Sequence, residues 1–211
     1  MKEAIQSAIE RLSAIDRAHP DEAVEAARAV AALGPEALCA VLEAPEALNV
    51  PGGRRTISAA FAVQSPAAVS AALVKALDHK DWRPVQVATD AIGLMAEAMS
   101  PVLVASMTPD ANAWGLLNTI TAVRRMGVET AGPALKMLAR EHADERVRAA
   151  SVEALGWMGV NEARAGIAAA LSEDSAEVRL KATKAAGWLR LGEAVDGILA
   201  FAREADAPGR A

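Results

Sequence analysis

A segment that recurs about every 31 residues limits what this chain can fold into more than any other feature. Val147-Arg148 stands over Val178-Arg179, and Gly156-Trp157 over Gly187-Trp188, each at an offset of 31 (178 − 147 and 188 − 157). Met126-Gly127 lies 32 before Met158-Gly159, and the repeat's alanine steps back by 31 from Ala122 to Ala91, Ala60 and Ala29. The series is tight at the C-terminal end and loosens toward the N-terminus, with a one-residue slip in register around Trp82 to Val87. A fixed period of this length marks an array of small units, each too thin to bury its own apolar face and stable only when stacked on its neighbours.

Each period reads as two helices. Between Asp144 and Gly159, Val147, Ala150, Ala154, Leu155 and Met158 fall on one face at helical spacing. One period later the same positions are Val178, Lys181, Ala185, Ala186 and Leu189. Lys181 interrupts that stripe, so this last first-helix is expected to cap the array with one face open to water. A second apolar helix follows each first one, beginning near Pro35, Ser65, Ser100, Gly132, Asn161 and Gly192. Proline or an acid in the first turn suits a helix start, and Gly34, Gly127, Gly159 and Gly192 suit a helix stop. Residues 44–56, with Pro45, Pro51, Gly52 and Gly53, form the longest break and are expected to be a solvated loop between repeats. Residues 3–18 read as an extra N-terminal capping helix, and 206–211 as a frayed tail. The expectation is an all-α solenoid, an α/α superhelix of about six helix-pair repeats. It forms a single domain over residues 1–205, divergent in 1–80 and regular in 81–205.

Composition fits many thin helices: 53% of residues are hydrophobic and only 3% aromatic, and the β-branched and aromatic runs of strands are absent. The net charge of −5 argues against nucleic acid, whose binding rests on phosphate neutralisation. A lone cysteine, Cys39, leaves no internal disulfide and fits a reducing compartment. Charges from Lys2 to Arg17 rule out a secretory leader, and no apolar run reaches the length of a membrane span. A soluble, cytoplasmic protein is expected.

The segment D-x-x-V-R-x-A-A-x-x-A-L-G from Asp144 resembles the HEAT-like repeat of the phycobilisome-lyase type, widespread in bacterial proteins; DSAEVRLKATKAAGWL is similar, with one residue inserted before Val178. The resemblance implies a stack of HEAT-type helix pairs. It also implies that Asp144 pairs with Arg148 and Asp174 with Arg179. It says little of activity, because the repeat is a building block shared by unrelated functions.

The candidate residues are few. His19, His79 and His142 are spread among helix ends, without the i, i+4 pairing or carboxylate cluster a metal needs, and are expected at the surface or as helix caps. Cys39 sits among apolar neighbours without a base and reads as buried. Trp157 and Trp188 recur at the repeat period and should pack between adjacent repeats. Trp82 and Trp114, near the starts of two first-helices, are the better interface anchors. Local basic groups are Arg54 and Arg55 in NVPGGRR, Arg83, and the Arg124-Arg125 pair. The second helices carry mixed charge, so no single-sign groove is expected. The carboxylates are scattered and no acid–base pair must converge. These features favour a non-catalytic scaffold or adaptor that binds another protein or peptide on the concave face, with no catalytic residue, metal or cofactor. A tetrapyrrole-handling role like that of the phycobilin lyases is the alternative implied by the resemblance. A HEAT-type DNA-repair glycosylase is the last, weakened by the acidic charge.

Overall fold

The computed structural model describes residues 1–205; the tail 206–211, expected to fray, lies outside the described residues. Among those residues the chain forms thirteen α-helices and four short 3-10 turns, with no strand. It divides into two compact units, Met1–Leu103 and Val104–Ala211.

In the first unit α1 (Lys2–Ser13) precedes two helix pairs, α2 (Pro20–Ala32) with α3 (Pro35–Val41), and α4 (Pro51–Ala62) with α5 (Pro66–Ala76). Then come α6 (Trp82–Leu94) and the start of α7 (Ala96–Ser106), within which the division falls. The first helices α2, α4 and α6 lie side by side, α3 packs on α5, and α1 covers α2. Leu38, Leu48, Ile57, Phe61, Leu73 and Ile92 are fully buried between these helices. This is the shared core that a two-helix unit cannot make alone.

The second unit repeats the plan with α8 (Ala113–Met126), α9 (Gly132–Glu141), α10 (Glu145–Trp157), α11 (Arg164–Ala170), α12 (Ala176–Trp188) and α13 (Val195–Ala205). Helix α10 is enclosed by α8, α9 and α12, so both flanks of it are buried: Val147, Ala154 and Leu155, but also Ala149, Ser151 and Val152. The stripe Arg146, Ala150, Glu153, Trp157 escapes full burial, as do Glu145 and Arg148 in the first turn. Gly156 sets the spacing to α12, since a Cβ there would stand 2.4 Å from the Ala185 Cβ. The all-α solenoid of helix-pair repeats is therefore the observed fold class.

Four local expectations are corrected. The break at 44–56 is a 3-10 turn over Pro45–Leu48 followed directly by α4, which opens with Pro51 in its first turn. Gly52 and Gly53 are inside that helix because α2 passes close by; a Cβ on Gly52 would meet Val24 Cγ2 at 3.0 Å. Helix α1 ends at Ser13 rather than 18, because the Asp16 carboxylate accepts from the Ala18 N–H and bends the chain. Gly34, Gly127 and Gly159 take positive φ at the helix stops, whereas before α13 Arg190 does so (φ 51) and Gly192 opens a 3-10 turn. Helix α7 starts at Ala96, ahead of Ser100, and carries Pro101 internally. The Ser100 hydroxyl donates to the Ala96 carbonyl in the turn where Pro101 offers no N–H.

Candidate functional site

The arginines divide by depth. Arg54 is buried at the start of α4, and its Nη1 donates to the carbonyls of Leu48 and Asn49 at 2.6 and 3.2 Å. Arg148 makes the same pair of bonds six and five residues upstream, to His142 and Ala143, and Arg179 does so to Glu173 and Asp174. One arginine early in the first helix thus straps down the turn that precedes it. The implied Asp144–Arg148 pairing is not formed. Asp144 instead caps α10 and binds Arg146, while Arg148 Nε and Nη2 reach Glu173 ahead of the next repeat. For Asp174 and Arg179 the contact runs through the Asp174 backbone carbonyl. The physical reason is geometry: an N-cap carboxylate sits next to the side chain two residues on, leaving the fourth-residue arginine free to turn back to the carbonyls.

The Asp–Arg cap occurs twice. Asp81 accepts from the Arg83 N–H at 2.9 Å and its carboxylate takes both Arg83 Nε and Nη2; Asp144 and Arg146 match this. The arginine hydrogen bonds and charge hold each carboxylate at about 2. Two residues earlier, His79 and His142 each accept through Nδ1 from the aspartate N–H, at 2.9 and 3.0 Å. His142 is buried in this role rather than at the surface. The signal was in the sequence as H-x-D-x-R at 79–83 and 142–146, a spacing of two repeats (142 − 79 = 63). Cys39 is half-buried, and burial pushes its thiol pKa up, away from a reactive thiolate. No group of three potential ligands gathers among the described residues.

The tryptophans all reach the surface, each about half exposed. Trp82 lies under the Arg54 guanidinium, 4.8 Å from its ring centre. With Arg83, which also donates to the Asn49 side chain, it forms a tied cluster where the Pro45–Leu48 turn meets α4 and α6. Arg55 stays exposed on α4. Trp157 and Trp188 meet edge to face at 5.6 Å across adjacent repeats. In the second unit Trp114 begins α8 and Arg124 and Arg125 end it; Arg124 approaches Glu153 at 3.9 Å.

Two grooves open on the second helices, one in each unit. Between α9 and α11 lies a cavity of 330 Å³ floored by Val152, Leu155 and Ile167. It stays open because the facing positions are small: Ala139, Gly166, Ala169 and Ala170. Lys136 and Arg140 stand on one rim, Glu162 and Glu173 on the other. In the first unit a cavity of 850 Å³ between α1 and α3 is floored by Ile5, Ile9 and Ala40, with Glu10, Glu36, Glu43 and Glu46 on its rim. The charge asymmetry is large. Residues 1–46 hold nine acids and four bases, and the remainder holds eighteen of each (27 − 9 and 22 − 4), so the net −5 sits entirely in the first 46.

Both grooves can hold an apolar stripe between charged rims, which is helix-in-groove recognition. Chemistry of that kind is binding. The model of the HEAT repeats matches residues 100–187 and again 132–211, more than half of the chain.

The chain belongs to the HEAT repeat family.

HEAT repeats generally mediate protein–protein interaction as scaffolds, and proteins built from them are typically non-enzymatic. No curated protein matches the chain. Among the described residues no helix is long and apolar enough to cross a membrane.

Proposed function

We propose that this HEAT repeat protein is a non-catalytic scaffold that holds a helical segment of a partner protein in the groove between α9 and α11. The observation that carries the reading is the groove itself. Its floor is apolar and continuous with the core, its walls are alanine and glycine, and its two rims carry opposite charge. A partner helix with one apolar stripe fills it, with acids toward Lys136 and bases toward Glu162. Glu173 is already engaged by Arg148 and Arg140 by Glu141, which leaves Lys136 and Glu162 to set orientation.

Gly166 provides the test, because a Cβ there meets nothing within 4 Å and a large side chain would project into the groove without disturbing the core. Affinity purification from the native cell, read by mass spectrometry, should recover a protein with the unaltered chain and lose it with Gly166→Trp. Equal recovery by both, with circular dichroism showing both folded, would contradict the proposal.

A further inference from the structure

A second surface lies on the first helices of the second unit, where α10 and α12 approach most closely. Gly156 against Ala185 brings the two helices together, and the residues just beyond, Trp157 and Trp188, meet edge to face at 5.6 Å. The pair is held by backbone approach rather than by burial, since Trp157 is 60% and Trp188 44% exposed. Among the described residues neither indole N–H has an acceptor. One to two turns back along the same helix faces, the Glu153 carboxylate accepts from Lys181 Nζ at 2.8 Å and lies 4.0 Å from Lys184 Nζ and 3.9 Å from Arg124. Three cations from α8 and α12 thus converge on one carboxylate, an excess of positive charge on a chain whose total is −5. One carboxylate among three cations leaves a local surplus of positive charge, which a second anion would offset.

We infer that this face docks an acidic linear segment of another protein, which seats an apolar side chain against the Trp157–Trp188 pair and its carboxylates on Lys184 and Arg124. Rigid exposed tryptophans lose little entropy on binding and serve as anchors, and their N–H groups suit the carbonyls of an extended backbone. Charge complementarity with the cations selects acidic segments over basic ones. Nucleic acid fits less well, because strong phosphate binding draws on about six to ten contacts and the cluster offers three cations, one carboxylate already among them. This surface is independent of the α9–α11 groove.

The test uses the full chain and fluorescein-labelled probes read by anisotropy. They are the peptide Glu-Asp-Glu-Leu-Pro-Leu-Glu-Asp, its counterpart with Lys and Arg for the acids, its counterpart with Gly for the leucines, and an oligothymidine. The acidic leucine peptide should bind best and weaken as salt is raised. Lys184→Glu and Trp188→Ala, both exposed changes that keep the helical spectrum, should each weaken it about tenfold or more, and Gly166→Trp should not. Failure of the acidic peptide to bind, equal binding of the basic one or the glycine one, no loss with Trp188→Ala, or tighter binding of the oligothymidine would each overturn the inference.

Discussion

Helix α4 (residues 51–62) and helix α10 (residues 145–157) hold the same place in their repeats and share almost no sequence. In α10 the arginine strap follows an acidic cap, D-E-R-V-R, and the closest helix approach is at the far end, at Gly156. In α4 the strap follows Pro51-Gly52-Gly53, no acid caps the helix, and the close approach to α2 is at the near end. Arg54 and Arg148 nevertheless donate to the carbonyls five and six residues back in both. The repeat is conserved within this chain as a hydrogen-bond geometry, while the residues that create room for it have moved from one end of the helix to the other. The turn carbonyls find an arginine donor in both helices, whereas the place of close helix contact has shifted.

The two ends respond differently to added volume. Gly156→Ala puts its Cβ 2.5 Å from the Ala185 Cα, and backbone cannot yield as a side chain can. It should cost about 2 kcal/mol or more in urea unfolding, even after the ~1 kcal/mol of helix propensity that alanine adds. Gly53→Ala meets its neighbours at 3.4 Å or beyond, and should change stability by less than about 1 kcal/mol. A reversed order would break the comparison.

A smaller effect is expected at Glu153, which faces three cations in the second unit while the first unit has no such cluster among its described ion pairs. Glu153→Gln should destabilise by about 1 kcal/mol, and high salt should reduce the difference. A salt-independent loss would mean that packing rather than charge is at stake there.

An effect of similar size is common to both halves. Asp81 and Asp144 are held at about 2, below the ordinary carboxylate value of 3.8, by Arg83 and Arg146. A depressed folded pKa gives stability that is present above the unfolded value and is lost as pH falls through the folded one. The window is therefore from about pH 4 down to about pH 2. Asp81→Ala and Asp144→Ala should each cost about 1 kcal/mol at neutral pH as lost caps, and both should flatten the acid limb of the stability profile. An unchanged acid limb in either would separate the two caps.

Much of this architecture was legible before any coordinates. The 31-residue period located every first helix, and the three glycines of the turns at 34, 127 and 159 stopped helices as read. What was missed follows from one cause. Sequence spacing reveals which residues share a helix face, but not what passes close to that face. Gly52-Gly53 reads as a loop until α2 is seen beside it, and Arg54 reads as a solvated cation until its carbonyl acceptors are seen beneath it. Likewise Asp144 and Arg148 are four apart and look like a pair, yet Arg146 reaches the carboxylate first. The α9–α11 groove was invisible for a further reason: it exists by what is small at Ala139, Gly166 and Ala169. The H-x-D-x-R recurrence, by contrast, was readable and marks both aspartate caps.

The shared arginine strap is the claim on which the continuity of the two halves rests, and urea unfolding of Arg54→Ala beside Arg148→Ala tests it most directly. Both variants should lose stability, by about 1–3 kcal/mol as carbonyls are left without a donor, and Arg54→Ala by more because Leu48 and Arg54 are the more deeply buried. An unchanged midpoint for Arg54→Ala, beside a clear loss for Arg148→Ala, would contradict it.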